Sequence, residues 1–113
     1  MKANLLALVI LATAAIAARG NITPSNDTSG ASDAAAIQSA IDTAANGGTV
    51  TLGSGMFYIN SQLNVTNGVT LAGQGWENTV IKQVATTPSA ETRVVTVSGG
   101  AKIERVTLTG GRV

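Results

Sequence analysis

The feature that most constrains the fold is a series of short apolar runs separated by turn residues. Between Gly47 and Gly73, four such runs alternate with glycine, asparagine and serine. They are too short to be helices, and β-branched and aromatic side chains dominate them, so each predicts a β-strand. The predicted strands are Thr49–Leu52, Met56–Ile59, Gln62–Val65 and Val69–Leu71.

The tripeptide Val-Thr-Leu occurs three times, and a glycine follows each copy within two residues. The copies are Val50–Leu52, Val69–Leu71 and Val106–Leu108, which gives spacings of 19 and 37 residues. The second spacing is close to twice the first. A repeat of about 20 residues is typical of a β-solenoid, in which each coil buries its apolar side on the next.

Residues 1–17 predict a signal peptide. Lys2 supplies the positive charge, Leu5–Ala18 is an uncharged and almost wholly apolar run, and Ala15-Ile16-Ala17 is a small-x-small cleavage pattern. An uncleaved N-terminal anchor is the alternative. We expect a secreted, periplasmic or cell-surface protein that keeps no membrane segment after cleavage. Residues 18–31 then form an extended lead-in, and residues 32–113 a cap helix and the first coils.

Ser32–Asn46 predicts the helix. Ser32 or Asp33 is the expected N-cap, and Gly47 the expected C-terminal glycine. Ala36, Ile37, Ala40, Ile41 and Ala44 fall at helical spacing and form one narrow apolar face. Such an alanine-rich helix is marginal alone in water, so it needs a surface, and the open end of a stack of strands provides one.

The order of these segments resembles a known family. A polar Asp/Ser loop leads into Ala-Ala-Ile-Gln-Ser-Ala-Ile-Asp (35–42), Gly-Gly-Thr-Val-Thr-Leu (47–52), Phe-Tyr-Ile (57–59), Gly-Val-Thr-Leu-Ala-Gly-Gln-Gly (68–75) and Thr-Val-Ile (79–81). This is similar to the N-terminal start of the pectin-lyase-like right-handed parallel β-helix superfamily, in particular its pectate-lyase and polygalacturonase-type members. The resemblance covers about residues 26–113, and its departures, at Gly30–Ala34 and Gly53–Gly55, lie in turns. It implies an all-β right-handed parallel β-helix, a helix over its first coil, and carbohydrate as the usual substrate class.

The end of the chain continues the strand pattern. Val84–Thr92 predicts a protruding loop, and Arg93–Val97 and Lys102–Thr109 predict strands, with a bend or bulge near Glu104. Two to two and a half coils fit into this length, and no polar capping segment follows them. We therefore expect the first part of a longer protein, truncated at its C-terminal end, that self-associates through its open C-terminal coil.

The composition excludes several kinds of chemistry. The net charge of +1 gives no reason to expect binding to nucleic acid, and the chain has no His and no Cys. The acidic residues of the mature chain are Asp27, Asp33, Asp42, Glu77, Glu91 and Glu104, and no two are closer than six residues. We expect no catalytic, metal or cofactor site in this chain. The resemblance implies that catalysis, and any Ca²⁺, belongs to middle coils that are missing here.

Trp76 is the candidate binding residue, because a tryptophan on an exposed turn can stack on sugar rings. The sequence nevertheless favours the plainer interpretation, in which Trp76 shields the helix or the first coils. The sequence thus predicts the N-terminal part of a secreted β-helix protein that acts on polysaccharide, either pectin-like or another acidic glycan, as a lyase or a hydrolase. The alternative function is a non-enzymatic β-helix surface protein, an adhesin or a carbohydrate-binding passenger. On either reading we expect this chain alone to be inactive.

Overall fold

A computed structural model describes residues 21–85 and 93–110, and within them the chain forms one helix and eight short strands. The helix α1 spans Ala31–Thr43. The strands are β1 (Thr49–Thr51), β2 (Gly55–Ile59), β3 (Leu63–Val65), β4 (Thr70–Ala72), β5 (Thr79–Gln83), β6 (Val95–Val97), β7 (Lys102–Glu104) and β8 (Thr107–Thr109). The predicted signal peptide and most of the predicted loop after Val84 lie outside the described residues. No helix in the described part is long and apolar enough to cross a membrane.

The strands form three parallel sheets, and each strand from β1 to β5 pairs with the strand three places later in the chain. The sheet orders are β1-β4-β7, β2-β5-β8 and β3-β6. The chain therefore visits the three sheets in the same order on each circuit. This arrangement, mostly strands in parallel sheets with one helix, is consistent with the early coils of a parallel β-helix. We call β1–β3 the first coil, β4–β6 the second coil and β7–β8 the third coil.

The strand register corrects the predicted repeat. Thr49 pairs with Thr70, 21 residues on, whereas Leu63 pairs with Val95, 32 residues on. The three Val-Thr-Leu copies are not equivalent in space, because Val50 lies opposite Leu71 and the third copy runs into β8, in a different sheet. The prediction of a 20-residue repeat marked by this tripeptide was therefore wrong.

What recurs instead is a turn before each strand of the first sheet. The turns are Asn46-Gly47, Asn67-Gly68 and Gly99-Gly100, and they stack on one another. Gly47 N donates to Asn67 O at 3.0 Å, and Gly68 N donates to Gly99 O at 2.9 Å. Gly47 has φ of 80° and Asn67 has φ of 58°, a left-handed conformation that glycine and asparagine adopt most readily.

The predicted bend near Glu104 is a corner between two sheets. Strand β7 ends at Glu104, Arg105 takes a positive φ of 58°, and the chain then enters β8 in the neighbouring sheet. The predicted single strand Lys102–Thr109 is thus two strands, which explains why the apolar residues change parity between Ile103 and Val106.

The core consists of side chains stacked in columns between successive coils. The inward side chains of β1–β5 are almost fully buried, as Phe57 and Ile81 show at 0% exposure, whereas those of β6 are only partly covered. The columns are Val50–Leu71–Ile103, Phe57–Ile81–Leu108, Leu63–Val95 and Val65–Val97. Since large rings are rare in this chain, the flat contacts of valine, isoleucine and leucine make up most of this core.

The start of α1 differs from the prediction. Gly30, with φ of 87°, is the N-cap residue, and neither Ser32 nor Asp33 caps the helix by its side chain. The Asp27 carboxylate instead accepts hydrogen bonds from Ser32 N at 3.1 Å and Ser32 Oγ at 2.7 Å, and two more from Ser29. These hydrogen bonds, first from the Ser29 side chain and then from Ser32, lower the pKa of Asp27 to about 2. An ionised carboxylate is thus held beside the positive end of the helix.

The end and the buried face of α1 also need correction. The helix ends at Thr43, with Ala44 already extended, so Gly47 belongs to the following turn and not to a helix cap. Ile37 and Ile41 are buried, at 0% and 2% exposure, as predicted. Ala36 is exposed, whereas Ala34 is buried, because the contact face is rotated toward the first turn of the helix.

The N-terminal segment, residues 21–43, supplies hydrogen-bond partners to the backbone of all three strands of the first coil. Ile22 donates to Thr51 O at 2.9 Å and accepts from Gly53 N at 2.8 Å, which extends the first sheet. Gly30 O accepts from Asn60 N at the end of β2. The helix packs against these same strands.

The side-chain amide of Gln38 provides hydrogen-bond partners for the backbone of β3, the third strand. Its Oε1 accepts from Asn64 N at 2.8 Å, and its Nε2 donates to Asn64 O at 3.1 Å. This pair of hydrogen bonds is what a neighbouring strand would offer to β3. The amide therefore takes the place of a strand at that edge.

The packing of α1 predicts opposite outcomes for two substitutions. Ile41→Asp should lower the free energy of unfolding by about 3 kcal/mol or more, because it places an unpaired charge against the buried face. The matched control is Ser39→Lys on the exposed face of the same helix, which should change it by about 0.5 kcal/mol or less. Urea denaturation monitored by circular dichroism measures both. Equal losses from the two changes would contradict this packing.

Candidate functional site

Trp76 lies on the turn that joins β4 to β5, and its side chain is 68% exposed. This is the most exposed of the large apolar side chains in the described residues. The favoured interpretation, that Trp76 shields the helix or the first coils, does not fit this exposure and was wrong. The indole instead presents an apolar surface to solvent.

The first coil holds one side of this turn. The Gln74 side chain donates from Nε2 to Leu52 O at 2.9 Å, and Gln74 N donates to Thr79 Oγ1 at 2.9 Å. Thr79 is fully buried, and its hydroxyl donates to Gly53 O at 3.0 Å. These bonds fix both ends of the turn against the strand corner below it.

The third coil holds the other side. Gly75 N donates to Arg105 O at 3.0 Å, and Thr107 Oγ1 donates to Trp76 O at 2.7 Å. Gly73 approaches the same corner so closely that a Cβ there would clash with Arg105 O. Any larger residue at Gly73 would therefore push the corner away. Trp76 thus stands on a rigid turn, which lowers the entropic cost of binding a ligand.

A second feature, which the sequence analysis missed, lies on the outer face of the sheet β2-β5-β8. Tyr58 and Lys82 are directly opposite one another in the parallel register. Their neighbours Phe57 and Ile81 point inward, so Tyr58, which is half-buried, and Lys82, which is exposed, belong to the outer face. A cation beside an aromatic ring can bind a ligand that has both a flat apolar face and a negative charge. Finding this pair required the register, which the tripeptide repeat misassigned.

The carboxylates of the N-terminal segment and its helix have structural partners. Asp27 holds the start of α1, and Asp33, which is buried, accepts a hydrogen bond from Ser25 N at 3.1 Å. Asp42 accepts from Gln38 Nε2 at 2.9 Å. Asp27 and Asp33 therefore hold the start of the N-terminal segment, and Asp42 supports the side chain of Gln38 within α1.

The remaining acidic residues are dispersed. Glu104 forms an exposed ion pair with Arg105 at 3.4 Å, Glu77 lies on the turn of Trp76, and Glu91 lies outside the described residues. Among residues 21–85 and 93–110, no group of three or more acidic side chains could hold a metal ion. The expectation that Ca²⁺ binds in other coils stays a prediction.

The comparisons with known proteins gave one family. A family model described as rhamnogalacturonase A/epimerase, pectate lyase-like, matches residues 25–106. This match confirms the predicted pectin-lyase-like superfamily and covers nearly the same residues as the resemblance in the sequence. Searches of curated proteins and of solved structures gave no significant match.

The exposure of Trp76, the single tryptophan of the chain, predicts a distinctive fluorescence signal. The emission maximum of the native protein should already be that of a solvated indole and should shift little on unfolding. Iodide should quench native and unfolded protein with similar efficiency. Trp76→Ala should change the free energy of unfolding by about 1 kcal/mol or less, because little apolar area is lost from the core. A blue-shifted, poorly quenched native emission would show that the indole is packed.

Proposed function

The chain belongs to the rhamnogalacturonase A/epimerase, pectate lyase-like family, and from this premise we propose that it is the N-terminal part of a secreted protein that acts on polysaccharide. The proposed fold is a right-handed parallel β-helix in which α1 caps the first coil. Two observations support this fold: each strand from β1 to β5 pairs with the third strand after it, and the N-terminal segment occupies the outer edge of the first coil. Residues 1–17 serve as the export signal, as their sequence predicts.

The observation that carries the proposal is the exposed indole of Trp76 on a turn fixed from both sides. The apolar face of a sugar ring stacks on such an indole. Lys82, next to Tyr58 on the adjoining sheet, adds a positive charge that suits an acidic, pectin-like glycan. This segment binds the polymer and positions the coils that follow.

The reaction itself is assigned to coils beyond those described. Cleavage by a lyase or a hydrolase requires carboxylates close enough to share a metal ion or to divide acid and base roles. The described carboxylates hold the helix start or lie apart on turns, so their part in this proposal is structural.

Binding experiments with Trp76 variants test the proposal. Affinity electrophoresis in gels containing polygalacturonate or rhamnogalacturonan should show retardation of the wild-type protein. Trp76→Ala should weaken binding roughly fivefold, since stacking on an aromatic ring contributes about 1 kcal/mol. The matched control Trp76→Phe keeps a ring at this position and should retain most of the binding.

Two outcomes would contradict parts of the proposal. Equal retardation of wild type and Trp76→Ala would remove Trp76 from the binding site. No retardation by any acidic or neutral polysaccharide would overturn the glycan-binding role itself. For the longer protein, formation of unsaturated products or of new reducing ends separates lyase from hydrolase. Binding by that protein without either product would favour the alternative, a carbohydrate-binding surface protein.

A further inference from the structure

Two of the three stacked turns carry the dipeptide Asn-Gly. They are Asn46-Gly47 and Asn67-Gly68, whereas the third turn is Gly99-Gly100. Asparagine is one of the chemically labile residues, and it is most labile before glycine, because a residue without a side chain lets its backbone nitrogen approach the asparagine amide. Both asparagines are exposed, so water and hydroxide reach them. Each dipeptide is therefore a candidate for deamidation.

Deamidation at such a dipeptide changes the covalent course of the chain. The glycine nitrogen loses its proton and attacks the side-chain carbonyl carbon, Cγ, of the asparagine. The bond from this nitrogen to Cγ forms, the bond from Cγ to Nδ2 breaks, and ammonia leaves. Water then opens the cyclic succinimide at one of its two carbonyl groups, which gives aspartate or isoaspartate. Isoaspartate adds one carbon to the main chain and a negative charge to the turn.

In the folded protein the attacking nitrogen of each dipeptide is bonded to the turn of the next coil. Gly47 N donates to Asn67 O at 3.0 Å, and Gly68 N donates to Gly99 O at 2.9 Å. A proton shared with a carbonyl oxygen is harder to remove, and the bond holds the nitrogen toward the neighbouring turn. The second turn thus protects the first dipeptide, and the third turn protects the second.

We propose that Asn46 and Asn67 are sites of deamidation and isoaspartate formation, and that each stays unreactive only while the turn of the next coil is stacked on it. Stacking of these turns aligns the strands of the sheet β1-β4-β7. An extra main-chain carbon in a two-residue turn therefore shifts the strand that follows it. Since ammonia is lost, the folded chain cannot return to asparagine.

The structure offers a matched pair of variants that separates the two turns. A Cβ at Gly99 would lie 3.1 Å from Thr66 Oγ1 and 3.2 Å from Asn67 N, so Gly99→Ala pushes the third turn away from the second. A Cβ at Gly100 would meet nothing within 4 Å. The two glycines have φ of 62° and 80°, so both alanine variants carry backbone strain, but only Gly99→Ala disturbs the contact between turns.

The experiment is peptide mapping by tandem mass spectrometry after incubation of the purified protein at mildly alkaline pH. Chymotryptic cleavage after Phe57 or Tyr58 separates the peptides of the two sites. In the wild-type protein, both asparagines should deamidate at least about tenfold more slowly in buffer than in concentrated urea at the same pH, because reaction of the native chain requires local opening.

The variants test the protection turn by turn. Gly99→Ala should accelerate deamidation of Asn67 at least about threefold and leave Asn46 at the wild-type rate, because Gly47 N keeps its acceptor. Gly100→Ala should resemble the wild type at both sites. Asn67→Gly removes the reactive side chain but keeps the accepting carbonyl, so Asn46 should stay slow in this variant.

Several results would overturn the proposal. Equal rates in buffer and in urea, or no deamidation in urea, would remove the protected sites. An unchanged rate at Asn67 in Gly99→Ala would show that the third turn does not protect it. Equal acceleration by Gly99→Ala and Gly100→Ala, or acceleration at both asparagines, would point to general loss of fold, which circular dichroism of each variant checks. These measurements use no glycan, so their outcome is independent of the proposed binding function.

Discussion

The rest of this structure depends on how the backbone groups at the outer edge of the first coil find partners. A parallel sheet leaves a row of N–H and C=O groups unpaired at each edge, and such edges invite association. Here the N-terminal segment supplies the missing partners by three different means: the short extended residue Ile22, the carbonyl of Gly30 and the side-chain amide of Gln38. Once this edge is closed, every later strand pairs on the side away from the helix, so the stack can grow in only one direction.

The same stacking of coils also determines the position of Trp76, the candidate binding residue. The turns before the strands of the first sheet stack through Gly47, Asn67 and Gly99, which fixes the register of that sheet from coil to coil. Corners between sheets are tied in the same way, and the corner that carries Trp76 is bonded to the coil below and the coil above. The fold thus presents an exposed aromatic ring on a turn that is bonded from both sides, and this suits the proposed contact with a polysaccharide.

The sequence predicted elements better than it predicted their alignment. Short runs rich in Thr and Val favour strands whichever strand they pair with. Strands such as β1 and β2 could therefore be recognised from their own residues. Their register depends on turns and insertions between them, and the Val-Thr-Leu repeat gave the wrong alignment. The role of Gln38 was not predictable, because its partner Asn64 is 26 residues away and only the folded chain brings it near. Asp27 bonds Ser29 and Ser32 close by in sequence, and its role was missed because Ser32 or Asp33 was expected to be the N-cap. The exposure of Trp76 also depends on how the chain folds around its turn, and the sequence wrongly favoured a shielding role. Lys82 was missed because its neighbour Tyr58 is 24 residues away.

Native-state hydrogen exchange at Asn64 tests most directly whether the N-terminal segment closes the first coil. The Asn64 amide donates to the Gln38 side chain, whereas the amide of Leu63, one residue earlier, donates to Val94 O in the next coil. In the wild-type protein both amides should be protected. In Gln38→Ala the Asn64 amide should exchange at least about tenfold faster, while Leu63 stays the more protected of the two. Unchanged protection of Asn64 in this variant would contradict the account, because it would mean that the strand edge does not depend on the amide of Gln38.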